Sequence, residues 1–437
     1  MAAARHSAEK AAGGAGGLPN YWKVFGLKES PFFQATLGDE PSRYPLELFV
    51  GRKAETEQLL ASIGGASTSR QALGGAPGVG KTTLVQRAKA AAVEAGYWAT
   101  RDLIPFHPDD TVESVMGRIL SGIYEAVITA RPMATDNKAM QRAQQYVRAF
   151  RMSGGGVSAS VFGIGGGTSR STAAVTPASG IMLEGPSLIR ALLDLAAGAE
   201  AQGVVLHLNN LENLSERDPR AAADILRSLR DPVLLQKGLH VVLVGTAEAI
   251  ASTVMAHQQV RSVFSITTLG SLPESDVQEL LAERYRFLAI DPAVKVKPPV
   301  TKATVAELYS LFRGDLRGLL KALEEGVSAL VGLVGKHPGA PIPLADLSEV
   351  LRARYSEIFT QTLSAVRQRQ LQGWATKLGS TATPTQEELA TLWNVKQPAV
   401  STALTSLAEA GYVVPLQREG LEPGRYAFTG TSRIIFG

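Results

Sequence analysis

Two short apolar runs, Val204-Val205-Leu206-His207-Leu208 and Leu239-His240-Val241-Val242-Leu243-Val244, have the length and near-continuous hydrophobicity of strands buried on both faces of a parallel sheet. Gln71-Ala72-Leu73 predicts a further short strand, residues 97–103 another, and residues 83–92 suit a helix. The rhythm changes after residues 336–343, which are rich in Pro and Gly and read as a linker. An amphipathic stretch over residues 344–378 leads into Thr385-Gln386-Glu387-Glu388. There Thr385 can cap a helix and Glu388, three residues on, can return the bond. A turn falls at Asn394-Val395, and a second helix from Pro398 to Ala410 stops at Gly411. Tyr412-Val413-Val414 then starts a strand, residues 420–424 form a hairpin loop, and Arg425-Tyr426-Ala427-Phe428 is the returning strand.

Composition narrows the class. Hydrophobic residues make up 45% of the 437 and charged ones 19%, enough for more than one globular core. Residues 1–20, rich in Ala and Gly, read as a disordered tail. They lack the apolar core and cleavage site of a signal peptide, and no apolar stretch reaches the roughly 18 residues of a membrane helix. A cytoplasmic location without membrane partners is the expectation. Zero cysteines exclude disulfides and thiolate metal sites, and the six histidines show no paired ligand spacing. A net charge of +4 permits nucleic-acid contact without requiring it.

The sharpest chemistry lies at Gly75-Ala76-Pro77-Gly78-Val79-Gly80-Lys81-Thr82, which satisfies G-x-x-x-x-G-K-[ST] between a predicted strand and a predicted helix. Glycines let backbone N–H groups converge on phosphates, and the start of the helix favours negative charge. ATP with Mg²⁺ is therefore the expected cofactor. Gly75, Pro77, Gly78, Val79, Gly80 and Thr83 would form the cradle, Lys81 would reach the β- and γ-phosphates, and Thr82 would ligate the metal. The strand at residues 204–208 is placed to end near that metal, yet Asn209 and Asn210 follow it where a carboxylate is expected. An amide can orient a metal-bound water, so Asn209 is a metal candidate, but it cannot act as a general base. Glu212 is the nearby carboxylate that could position or activate water. Alternatively it is a surface residue of a site that only binds.

Over residues 45–335 several separated segments resemble the AAA+ ATPases, especially the origin-recognition and replication-initiator branch and its bacterial relatives. Leu48-Phe49-Val50-Gly51-Arg52-Lys53-Ala54-Glu55 is similar to the family's adenine-side box, which implies that Val50, Gly51 and Arg52 wrap the base. Residues 239–246 resemble the sensor-1 strand. The resemblance implies that Thr246 contacts the γ-phosphate or attacking water, though such a tip can also cap the next helix. Val260-Arg261-Ser262-Val263 sits where the family carries an arginine finger, making Arg261 the cation offered to a neighbouring subunit. Leu272-Pro273-Glu274 opens a stretch like the helical lid, and Gly314-Asp315-Leu316-Arg317 is similar to sensor 2, with Arg317 reaching the γ-phosphate. The fold implied is α/β, a P-loop NTPase parallel sheet with a helical lid. Its base would span residues 21–270, its lid residues 271–335 and, beyond the linker, a C-terminal domain residues 344–437.

That C-terminal domain resembles a winged helix. In such domains the second helix enters the major groove and the wing touches the backbone, so Lys396, Gln397, Ser401, Thr402 and Thr405 would face duplex DNA, with Arg418 and Arg425 on the wing. Its cations are few for a DNA reader, and winged helices also dock proteins. A glycine-rich segment, residues 153–177, alternates small polar and apolar residues and predicts a β-hairpin insertion. Arg148, Arg151 and Arg170 would be available to phosphate; a disordered Gly/Ser loop is the alternative. Two readings follow. One is an ATPase that assembles as a homo-oligomer or larger complex on ATP and engages DNA, with slow hydrolysis. The other is a switch like the STAND ATPases that recruits a protein through the winged helix.

Overall fold

A computed structural model describes residues 20–35, 37–38, 44–100, 102–152, 180–215, 218–294, 296–333, 341–416 and 423–437. The tail, most of the linker, the glycine-rich segment, most of the wing loop, Arg170 and Arg418 lie outside the described residues. The chain divides into two compact units, one of residues 36–270 and one of residues 1–35 with 271–437.

The first unit is built on a parallel sheet. After α1 (Lys53–Gly64) come β1 (Ser69–Gly75), α2 (Lys81–Glu94), β2 (Trp98–Ala99) and β3 (Ile104–Pro105). Three long helices follow, α3 (Val112–Ala130), α4 (Lys138–Met152) and α5 (Ile181–Gly198), before β4 (Val204–Asn209), α6 (Leu211–Ser215), α7 (Pro219–Leu229), β5 (Leu239–Val244), α8 (Gln258–Arg261) and β6 (Ser265–Leu269). Strand order is β2-β4-β5-β1-β6 with β3 also on β4, and all pairs are parallel. Every residue of β4 and β5 is buried, as their continuous Val/Leu content requires, whereas edge strand β6 exposes Ser265 and Thr268.

Side chains alternate across the sheet. Leu206, Leu208, Val241 and Leu243 join Met116, Ile119 and Leu192 of α3 and α5, while Val205, Val242 and Val244 meet Leu84, Val85 and Ala88 of α2. Each such side chain contributes roughly 1.5–3 kcal/mol on full burial, so these two layers hold β1 and β4 where the loops that follow them can form one site. The strand expected over residues 97–103 is met by the two residues of β2, and β3 follows just beyond that range; both pair with β4. The second piece ends in Pro105, which has no N–H to extend a ladder. At α3, a Cβ on Gly117 would lie 2.7 Å from the Phe150 ring, so glycine there lets α4 pack directly against it.

The second unit contains the helical lid, α9 (Glu274–Phe287), α10 (Lys302–Leu311) and α11 (Leu316–Ser328). Residues 20–35 pack with it: Arg284 donates to Pro31 O (3.1 Å) and Phe33 O (2.7 Å), and Lys28 N donates to Leu288 O (2.8 Å). Then come α12 (Leu344–Thr362), α13 (Ala365–Leu378), α14 (Gln386–Trp393), α15 (Gln397–Glu409), β7 (Val413–Pro415), β8 (Tyr426–Phe428) and α16 (Gly430–Phe436). The capping box at Thr385 and Glu388 forms, and Asn394 takes the left-handed conformation (φ 52°) that turns α14 into α15. β7 and β8 pair antiparallel, and Trp374 lies 4.3 Å from Phe428 in the core beneath them. Helices with a hairpin in this order are a winged-helix-like region. Helix α16, which the sequence pattern did not announce, packs back on α10, α11 and α12.

Candidate nucleotide site

The loop from β1 to α2 is shaped by its glycines. Gly78 (φ 81°) and Gly80 (φ 92°) adopt backbone conformations that side chains resist, and a Cβ at Gly75 would lie 2.8 Å from Leu269 O. Lys81 is buried, and its Nζ donates to Gly75 O and Ala76 O, each at 2.9 Å. The ammonium therefore already sits inside the curl of the loop. Thr82 and Thr83 are partly exposed on the first turn of α2, where backbone N–H groups have no helical acceptor. Val79 is buried and Pro77 exposed.

Val50 is buried, and Gly51 and Arg52 both have positive φ (74° and 57°) as the chain turns into α1. The Arg52 guanidinium pairs with Glu55 (2.9 Å) and donates to Val79 O (3.4 Å) and to Gly270 O. Burial alone would raise the Glu55 carboxyl, but the Arg52 hydrogen bond holds it below its ordinary range. Sequence reasoning assigned Arg52 to the adenine box through its backbone. Its side chain ties the phosphate loop to the end of β6, a link spanning more than two hundred residues.

At the tip of β4, Asn209 is 6% exposed and its Nδ2 donates to Asn210 Oδ1 at 2.9 Å. Asn210 itself has φ 60°, which asparagine tolerates better than most residues. One step behind, His207 is wholly buried, and burial, reinforced by the Lys89 charge on α2, lowers its pKa to about 3. Both Lys89 and His207 lie in the apolar interior without any sequence motif to mark them. Glu212, on α6, accepts from Thr246 N through Oε2 at 3.1 Å, and Thr246 Oγ1 accepts from Ala249 N at 3.1 Å. The β4 and β5 tips are thus joined, with Glu212 spent partly on the backbone and the Thr246 hydroxyl capping the turn beyond it.

Arg261 is exposed at the end of α8, in the segment that enters β6 at the end of the sheet opposite the phosphate loop, since β6 runs parallel to β1 and pairs Gly75 with its last residue. Arg317 is exposed on the first turn of α11, after Asp315, which caps the helix through Gly318 N (3.0 Å). In the winged-helix-like region, Lys396 at the N-cap of α15 and Gln397, Ser401, Thr402 and Thr405 along it are all exposed. Thr402 and Thr405 donate back to Pro398 O and Ser401 O (3.1 Å each), and Arg425 donates to Thr383 O (3.0 Å). Arg148 is exposed on α4, while Arg151 pairs with Glu125.

The parallel sheet, the glycine-cradled lysine and the helical lid make up a P-loop, AAA+ fold, followed by a winged-helix-like region. Residues 48–244 match the family model described as an AAA ATPase domain. No curated protein matches the chain. Among solved structures, the chain is similar to the ORC1 protein of Aeropyrum pernix in complex with DNA, at 15% identity and TM-score 0.43, covering 95% of this chain and 96% of that one. It is also similar to Cdc6p of Pyrobaculum aerophilum (13%, TM-score 0.42, 92% and 99%) and to a Walker-type ATPase of Pyrococcus abyssi (13%, TM-score 0.47, 93% and 99%). Among the described residues no helix is long and apolar enough to cross a membrane.

Proposed function

We propose that this chain binds ATP with Mg²⁺ in the loop after β1, assembles with other subunits in a nucleotide-dependent way, hydrolyses ATP slowly and engages duplex DNA through α15. The carrying observation is the loop itself: Lys81 lies within a curl bent by the positive φ of Gly75, Gly78 and Gly80, its ammonium held by the loop's own carbonyls. Binding of ATP would draw the Lys81 ammonium from the two carbonyls to the phosphates, leaving backbone N–H groups and the start of α2 to complete the anion site. Among the described residues no group of three or more His, Asp or Glu could hold a metal. A Mg²⁺ ion would therefore take most of its ligands from phosphate and water, with the Thr82 hydroxyl and the Asn209 amide oxygen beside it. Bound Mg²⁺ would neutralise charge developing on the phosphates. Slow turnover follows from the two amides at the β4 tip, neither of which can remove a proton from water.

Arg261 would act on a neighbour's nucleotide, because its segment lies at the far end of its own sheet. Thr246 and Arg317 are the remaining polar groups proposed to sense the γ-phosphate. At α15, Lys396 at the N-cap would supply the charge and Gln397 and Ser401 the polar contacts, giving a DNA interface with few cations. Arg425, occupied with Thr383 O, favours a second reading in which the winged-helix-like region docks a protein and the nucleotide serves as a slow switch. Sedimentation of the purified protein with ADP, ATP or a non-hydrolysable analogue, with and without duplex DNA at low salt, separates the two. ATP-dependent assembly strengthened by DNA supports the first reading; a monomer indifferent to DNA moves the assignment to the second.

A further inference from the structure

One buried arginine braces the phosphate loop from behind. The Arg52 side chain is 6% exposed, and its guanidinium donates to three acceptors: Glu55 through Nη1 (2.9 Å), and through Nη2 both Val79 O (3.4 Å) and Gly270 O. All four residues belong to the unit of residues 36–270. Two unfavourable features are held in place there. Arg52 adopts φ 57°, a left-handed conformation that an arginine resists, and its Nε–H is buried without a hydrogen-bond partner. Strain of this kind persists only where the surroundings impose it.

The guanidinium sets the direction of one peptide group. A trans peptide is planar, with its C=O and N–H pointing opposite ways, so a Val79 carbonyl turned toward Arg52 turns the Gly80 N–H away from it. Gly80 is the N-cap of α2 and directly precedes Lys81, a place where an N–H attracts phosphate and a carbonyl would repel it. The guanidinium itself is anchored at the end of β6. Its Nη2 carries two N–H groups and gives one to Gly270 O, and Gly75, where the loop begins, pairs with Leu269 one residue earlier. Glu55 holds the other nitrogen and balances the charge.

We propose that Arg52 is a positioning residue for nucleotide phosphates, acting through the Val79–Gly80 peptide to aim the Gly80 N–H at them. The role rests on the reading that the loop after β1 binds ATP. Mg²⁺–ATP and Mg²⁺–pyrophosphate are titrated calorimetrically into the full chain as wild type, Arg52→Gln, Arg52→Lys and Glu55→Gln, with thermal unfolding of each as the folding control. Both arginine variants should weaken ATP and pyrophosphate by the same factor, about tenfold, since lysine keeps a charge beside Glu55 but lacks the planar fork that reaches three acceptors. Glu55→Gln keeps an oxygen for Nη1 and both carbonyl bonds, and should bind both ligands nearly as wild type does. Weaker ATP with unchanged pyrophosphate would assign Arg52 to the base and overturn the role. So would arginine variants that bind like wild type, a Glu55→Gln loss as large as theirs, or a wild-type chain that takes ATP but no pyrophosphate. A wild-type chain that binds neither ligand removes the ATP reading itself, and this role with it. Should Arg52→Gln unfold below the assay temperature, Arg52→Lys decides alone.

Discussion

If the amides at the end of β4 limit turnover, replacing them with carboxylates should create turnover. The double variant Asn209→Asp/Asn210→Glu puts an acid at the position proposed to face the metal and a second carboxylate next to it that could accept a proton from water. Its cost is readable from the site. Asn209 is 6% exposed and its amide donates to Asn210, so the change removes that donor and sets two negative groups side by side. Buried unsatisfied acceptors cost about 1–3 kcal/mol, partly offset by the Lys89 charge already felt at His207. Without nucleotide, the variant should therefore be less stable by roughly that amount, and Mg²⁺–ATP should recover much of it. A positioned general base is worth about 10²–10⁴ in rate, or about 2.7–5.4 kcal/mol of barrier at 1.36 kcal/mol per tenfold. Phosphate release at saturating ATP, with Lys81→Ala as blank, should thus rise about a hundredfold or more over wild type. A double variant that binds ATP yet releases phosphate at the wild-type rate would refute the reasoning, as would a wild-type rate already far above the blank.

Glu212→Gln keeps an oxygen for Thr246 N–H and should leave phosphate release and stability unchanged, whereas Glu212→Ala should lose about 1–2 kcal/mol. Slower release by the Gln variant alone would instead place the carboxylate on water. Arg118 and Asp110 form a buried ion pair, each side chain 4% exposed, and Asp110 also accepts from His107 N and Ser114 Oγ (2.8 Å each). Arg118→Met should cost about 3–5 kcal/mol by stranding that carboxylate; a change under about 1 kcal/mol in urea unfolding would contradict this. Burial, helped by the Arg70 charge, lowers the His240 pKa to about 4. Because the folded value lies below the unfolded 6.5, the unfolded chain takes up the proton first. Stability is then complete above pH 6.5 and falls as pH drops toward 4, on the order of 2 kcal/mol after allowing for solvent screening. His240→Asn should make that limb shallower, the remainder coming from His207, whose pKa lies lower still; an unchanged slope between pH 7 and 4.5 would exclude His240 as a source.

The elements legible in the sequence were those whose cause is local. Glycines that alone tolerate the loop's backbone, continuous Val/Leu runs in β4 and β5, and the Thr385–Glu388 reciprocal cap specify their structure within a few neighbouring residues. The substitution of amides at 209 and 210 was equally visible, since a strand end and its chemistry are adjacent in the chain. The tertiary structure alone decided how polar side chains are used. Arg52 reaches Gly270 O, Glu212 the Thr246 amide and Arg425 the Thr383 carbonyl. No periodicity encodes such pairings, because each depends on which distant backbone group or charge the packed sheet and helices bring within hydrogen-bond or Coulomb range.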